Sequence, residues 1–235
     1  MIGFTGGDGA AAREAAKIAE AREELARRFR RLYEQGAVTL FEGNLSVRVG
    51  DTVLITPSQQ DKEALTPRMM TALALDGSVL APGVDADGGT VEPSTEYRMH
   101  LALYRLRPDA RAVVHTHSAC ATAFALAGAP IAGEMPELFS QFGGEVECLA
   151  YGRPGTEDVC AGFAACFGER RRDAALLANH GLVCIGSDLT EAFARAETAE
   201  KLAKTILLAR LLGSQAPLPA GEADALRDAW EAKAR

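Results

Sequence analysis

Two short stretches limit what this chain can fold into more than any other feature. "NLSVRVGDTVLITPS", residues 44–58, places β-rich runs (Leu45–Val49 and Thr52–Thr56) on either side of Gly50-Asp51. "TALALDGSVL", residues 71–80, repeats the arrangement around Asp76-Gly77. Two-residue turns of this composition join antiparallel neighbours, because parallel strands need a crossover of a dozen or more residues. The chain must therefore carry antiparallel sheet.

Helical patterns flank these hairpins. From Ala11 to Gln35 the apolar positions Ile18, Leu25, Phe29 and Leu32 form one stripe, and Gly36 ends it. Pro93-Ser94 starts a helix to about Arg107. A strand is expected at 111–117, a small-residue helix near 118–127, a loop at 128–144 and a strand from about Val146 to Leu149. Gly155-Thr156 opens a helix to Phe167, and Ala174–Ala178 and Leu182–Ile185 read as strands joined by "NHG". Asp188 with Glu191 resembles a capping box for a long helix that Gly213 stops. No repeat or composition break splits the chain. The expected organisation is a flexible leader at 1–12, one mixed α and β domain at 13–213, and a linker with a C-terminal helix at 214–235.

Composition narrows the partners. The net charge of −7 leaves no basic footprint for nucleic acid, and no apolar run is long enough to span a bilayer. Met1–Ala10 lacks the basic-then-apolar order of a signal peptide. The five cysteines are scattered without a C-x-x-C pair, which reads as reduced, mostly buried thiols and a cytoplasmic location. No nucleic-acid or membrane partner is expected. Cys120, three residues after His117, is read as part of the following helix's core, ahead of any metal role.

The chain holds four histidines, and two of them stand in "AVVHTHSAC", residues 112–120. On a strand His115 and His117 share a face, with Thr116 opposite, so both imidazoles can converge on one ion. Two polar residues at a strand end would be the bland alternative. His180 in "NHG" alone reads as a turn residue, with Gly181 free to take a positive φ. Glu96 in "EPSTEYRMH" alone reads as a carboxylate complementing the first turn of a helix. His100, on that same helix, is read as structural or at the surface. Together the three histidines His115, His117 and His180 with Glu96 make a chemically sensible zinc set, though spacing alone does not select them.

With "GNLSVR" (43–48), "LITPS" (54–58), "PSTEYRMH" (93–100), "RPDARAVVHTHS" (107–118), "YGRPGT" (151–156) and "LLANHGLVCIG" (176–186), the chain resembles the class II aldolase/adducin family from about residue 13 to 212. The resemblance implies an α/β fold: a single three-layer α/β/α domain with a central, largely antiparallel β-sheet, commonly assembled as a homotetramer. It implies that His115, His117, His180 and Glu96 bind a divalent metal, usually Zn2+, with Mn2+, Co2+ or Fe2+ as other candidates. Glu96 doubles as the base once substrate displaces it. A phosphate pocket would map to Gly43, Asn44, Ser58, Ser94 and Thr95. The implied reaction is retro-aldol cleavage of a small phosphorylated sugar or hydroxy-carbonyl compound through a zinc-stabilised enediolate.

Two positions depart from the family's aldolase pattern. Gln59 follows "TPS" where the aldolase has glycine, so it fills that space or binds something else. No tyrosine lies between Tyr104 and Tyr151, and the aldolase's catalytic tyrosine position falls on Glu137. Glu137 or Glu134 would then serve as acid/base, as a glutamate does in related dehydratases, and surface glutamates are the bland alternative. These departures point to dehydration, epimerisation or decarboxylation as the rival reactions on the same metal. A non-catalytic adducin-like module is more distant, because it has no need of the complete ligand set.

Overall fold

The computed structural model describes residues 7–234. Helix α1 (Gly7–Glu34) leads into a meander of β1 (Asn44–Val49), β2 (Thr52–Ile55), β3 (Thr71–Ala74) and β4 (Val79–Ala81). The short pair β5 (Gly83–Val84) and β6 (Thr90–Val91) precedes α2 (Tyr97–Leu106) and β7 (Ala112–Thr116). Next come α3 (Ala119–Leu126), β8 (Ile131–Ala132), α4 (Pro136–Phe142), β9 (Glu145–Val146) and β10 (Cys148–Leu149). After a 3-10 turn at Glu157–Cys160 and a π-helical stretch at Ala164–Glu169, the chain closes with β11 (Ala174–Leu177), β12 (Gly181–Gly186), α5 (Leu189–Leu211) and α6 (Glu222–Ala234).

The main sheet has eight strands in the order β10-β11-β12-β7-β1-β2-β3-β4. Every pairing is antiparallel except β10 with β11. Both expected hairpins form. The strand bearing His115 lies between β12 and β1, in register at that residue with Val183 on one side and Asn44 on the other.

Side-chain alternation sorts the strands onto two cores. Leu45, Leu54, Ala112, Val114, Leu182 and Cys184 face α1, α3, α4 and α5. Val53, Ile55, Val113, Val183 and Ile185 face α2 and the 157–169 segment. The sheet is thus the middle of three layers, as expected. β7 and β12 are buried along their whole length, which is why they read as near-continuous apolar runs. Burying each such large side chain contributes roughly 1.5–3 kcal/mol. The five cysteines are free thiols; burial pushes Cys160 up to about 11 and Cys166 and Cys184 to about 12.

Four expectations need correction. Of the leader expected at 1–12, residues 1–6 lie outside the described ones, but 7–12 already belong to α1, where Ala10, Ala11 and Ala12 are strong helix formers. The helix expected from Pro93-Ser94 starts only at Tyr97, because Pro93 bridges Pro57 in extended form and Ser94 N–H donates to Thr56 O. Residues 128–144 are no loop: Pro136 opens α4, and Leu138, Phe139 and Phe142 bury its inner face. The helix expected to reach Phe167 is broken at Gly162, whose φ is +87°. At the far end α6 packs onto α4, and Ala223 and Leu226 join the α1–α5 core.

Candidate metal centre

His115 points from β7 toward the α2 layer and is fully buried. Its Nδ1 donates to the carbonyl of Leu182 on β12 at 2.9 Å. A carbonyl only accepts, so that bond puts a proton on Nδ1 and turns Nε2 toward the cluster. His117 lies one residue beyond the strand, its N–H donating to Ala37 O, and its Nε2 comes 2.9 Å from that of His115.

His180 enters from the β11–β12 turn. The left-handed residue of that turn is Asn179, with φ +57°, and not Gly181. Gly181 is required for a different reason. A Cβ there would stand 2.5 Å from Thr116 O and 3.0 Å from Cδ2 of His117. The missing side chain lets the three rings close into a triangle with centroids 4.8, 4.7 and 4.9 Å apart.

Glu96 completes the group from the N-cap position of α2, one residue before the helix and not in its first turn. Its Oε2 is 3.3 Å from His115 Nε2, and its Oε1 is 3.2 Å from His180 Nε2. One donor atom from each of Glu96, His115, His117 and His180 lies within 4.8 Å of all the others.

Burial alone would raise the Glu96 carboxyl, but His115 and His180 outweigh it and hold it well below the usual carboxylate range. Burial, reinforced by His115 and His180, lowers His117 to about 4. At neutral pH an ionised carboxylate and a neutral His117 therefore face each other. The Nε2 atoms of His115 and His180 stand 3.3 and 3.2 Å from the carboxylate oxygens, and Glu96 Oε1 is buried without a hydrogen-bond partner. Such a cluster is satisfied by a cation. Three imidazole nitrogens and a carboxylate oxygen fit a divalent metal.

Behind Glu96 lies a buried polar group that the sequence reading passed over. Asn44 Nδ2 donates to Glu96 Oε2 at 2.8 Å, and Asn44 Oδ1 accepts from His100, which is fully buried, so that of its two expected places, structural or surface, the structural one holds. Burial, then His115, lowers His100 to about 3, so it is neutral. The spacing Glu96-His100-Tyr104, four residues apart on one helix face, was the available signal. Glu42, also missed, has its carboxylate 3.7 Å from His117 Nδ1.

The expected substrate residues divide into two groups. Gly43, with φ +71°, packs its bare Cα face on Val38 and against His115 O, where a Cβ would come within 3.0 Å of that oxygen. Asn44 is buried, with its amide donating to Glu96 Oε2. Ser94 is buried, and its Oγ accepts from Glu96 N–H at 3.3 Å. Ser58, Gln59 and Thr95 instead line an open cleft of about 680 Å³ with Tyr97, Arg98 and Gly155. Arg98, whose guanidinium lies 4.7 Å from the Tyr97 ring centroid, was not anticipated. Gln59 keeps a left-handed backbone, φ +49°, that glycine would adopt freely.

Glu134 and Glu137 are not brought to the cluster. Glu134 accepts from Leu218 N–H in the linker. Glu137 sits in the first turn of α4, whose buried face belongs to the α1–α5 core, across the sheet from Glu96. Cys120 is likewise absent from the group; its N–H donates to Glu200 at the start of α3.

Comparison with known proteins identifies the family of the chain. The family described as Class II Aldolase and Adducin N-terminal domain matches residues 23–207. The L-fuculose phosphate aldolase of Methanocaldococcus jannaschii is 32% identical over 181 residues, covering 76% of this chain and 91% of that protein. The 3-oxo-tetronate 4-phosphate decarboxylase of Haemophilus influenzae is 34% identical over 182 residues, covering 74% and 81%. A solved L-fuculose 1-phosphate aldolase superposes with a TM-score of 0.79 at 28% identity, covering 90% of this chain and 96% of that one.

Proposed function

The chain belongs to the class II aldolase and adducin family, and on that premise we propose that it is a metal-dependent lyase cleaving a small phosphorylated sugar or hydroxy-carbonyl compound by retro-aldol chemistry. The observation carrying this reading is the convergence of His115, His117, His180 and an ionised Glu96 on one buried point. Zinc is the proposed metal, on the strength of the three-nitrogen, one-oxygen donor set; Mn2+, Co2+ or Fe2+ would fit the same donors. When bound, the metal supplies Lewis acidity toward a carbonyl and its neighbouring hydroxyl.

The protein's own contribution is placement and proton handling. Leu182 O holds the His115 tautomer, and Gly181 leaves room for the three rings. Glu96 is the proposed base, beside the carbon that loses its proton. A phosphate would lie among Gly43, Asn44, Ser94, Ser58, Gln59 and Thr95, with hydroxyls and backbone N–H groups as donors. Glu137 and Glu134, held across the sheet, would reach a site from a neighbouring copy. Their acid/base role is therefore tied to a homotetramer. A cytoplasmic location completes the proposal.

A second reading keeps the metal and changes the reaction to dehydration, epimerisation or decarboxylation. Gln59 in the glycine-like conformation and the lack of a tyrosine between Tyr104 and Tyr151 favour it. An adducin-like interaction module is disfavoured by the complete ligand set. The test is a substrate panel with product identification, run on the wild type and on His117→Ala. Aldehyde release from a ketose phosphate, lost in the variant with its metal, is the expected result. Full activity and metal binding in His117→Ala would sink the proposal, and turnover only by loss of water or CO2 would select the second reading.

A further inference from the structure

We propose that Tyr104, Ser46, His100 and Asn44 form a one-directional hydrogen-bond chain that positions Glu96 for the metal, with His100 as its central positioning residue. The inference deepens the metal-centre reading and rests on it, but not on which reaction the centre performs.

The geometry follows from two periodicities meeting in register. Asn44 and Ser46 are two apart on β1 and so share a face of the sheet. Glu96, His100 and Tyr104 are four apart and share a face of α2 and its N-cap. Placed against each other, they give four consecutive contacts: Tyr104 Oη to Ser46 Oγ at 2.8 Å, Ser46 Oγ to His100 Nδ1 at 2.7 Å, His100 Nε2 to Asn44 Oδ1 at 2.5 Å, and Asn44 Nδ2 to Glu96 Oε2 at 2.8 Å. Asn44, Ser46, His100 and Tyr104 are all buried, Asn44 the most exposed of them at 3%.

Donor and acceptor inventory sets the direction. An ionised carboxylate only accepts, so Asn44 must turn its NH2 to Glu96 and its oxygen to His100. That oxygen also only accepts, so His100 must carry its proton on Nε2. A neutral ring then has a bare Nδ1, which Ser46 must meet with its O–H. The Ser46 oxygen in turn accepts from Tyr104. Every proton points toward Glu96, and no link can be reversed without setting two acceptors together in a buried site.

The consequence is local to the carboxylate. Oε2 is held by the amide, while Oε1 is left without a hydrogen bond on the side of His180. Glu96 is thus fixed in rotation with one oxygen free. Supporting bonds of this kind tune affinity for the metal, and removing one lowers it about 10–100-fold. His100 touches neither metal nor substrate and acts through Asn44.

The experiment has a variant-free arm and a variant arm. Nitrogen-15 NMR of histidine-labelled, metal-free protein reads the His100 tautomer directly, and protonated Nε2 with bare Nδ1 is expected. Zinc affinity, measured by competition with a chromophoric chelator, is then compared for wild type, His100→Gln and His100→Leu, with thermal unfolding as the control for fold. Glutamine keeps an N–H donor toward Asn44, so its affinity should stay within about threefold. Leucine removes the donor and should weaken zinc about tenfold or more. A Nδ1-protonated ring overturns the proposal, as does a folded His100→Leu that binds zinc as tightly as wild type. If the wild type itself binds no zinc, the metal-centre reading falls and this inference with it. A normal wild type with an indifferent His100→Leu defeats this inference alone.

Discussion

At the residue scale the centre depends as much on what is missing as on what is present. Gly181 is needed for space, since a methyl there would press on Thr116 O and His117 Cδ2. Gly181→Ala should cost about 1–3 kcal/mol by overpacking and weaken metal binding as the ring triangle opens. Denaturant unfolding and a zinc titration of the same preparation would check both. The titrating residues give a pH signature. His100 and His117 fall from 6.5 to about 3 and about 4 in the fold, so the unfolded chain takes up protons that the folded one refuses. Their contribution is complete above pH 6.5 and is lost as pH drops toward 4 and then 3. Each group contributes a slope of up to about 1.4 kcal/mol per pH unit in that window. Metal-free His100→Gln should show a shallower acid loss, read from unfolding midpoints between pH 7 and 4. The four candidate donors were legible only together, through the order of the family-like motifs that hold them, since Glu96 and His180 taken alone carry bland readings. The roles of Gly181 and His100 were not, because both depend on chain segments far away in sequence: β7 for the glycine, β1 for the histidine.

At the element scale the strands were read better than the entries to the helices. Period-two patterns and two-residue turns determine strand pairing locally, whereas the start of α2 is decided by Pro93 bridging Pro57. That shift moves Glu96 from the first turn of α2 to its N-cap, where its side chain reaches His115 and His180. α5 shows the opposite case. Asp188 caps it as expected, accepting from Glu191 N–H at 2.8 Å, but the box is not reciprocal, since the Glu191 carboxylate accepts from Ser187 and Arg195. Asp188→Ala should therefore remove about 0.5–2 kcal/mol of stability without altering zinc affinity. Equal unfolding midpoints for the two proteins would contradict this.

At the scale of the whole molecule, the three layers bring Asn44, Glu96, His115 and His180 to one end of the central strands. β7 lies between β1 and β12, and each neighbour is in hydrogen-bonding register at His115. The layering and antiparallel content could be read from the hairpins and the family resemblance together. The placement of Glu134 and Glu137 across the sheet could not, because it depends on how α4 packs with α6. If those glutamates serve the site, they do so from another copy, and sedimentation of the native protein should give four times the chain mass. The most direct test of the central claim is proton NMR of the zinc-loaded protein with dihydroxyacetone phosphate in D2O. Stereospecific loss of one C3 proton signal, with no aldehyde present and no exchange by His117→Ala, is the result expected of a metal-dependent aldolase with Glu96 as base. No exchange by wild type with zinc bound would contradict the retro-aldol reading for this donor and point to another donor substrate or to the dehydratase, epimerase and decarboxylase chemistries.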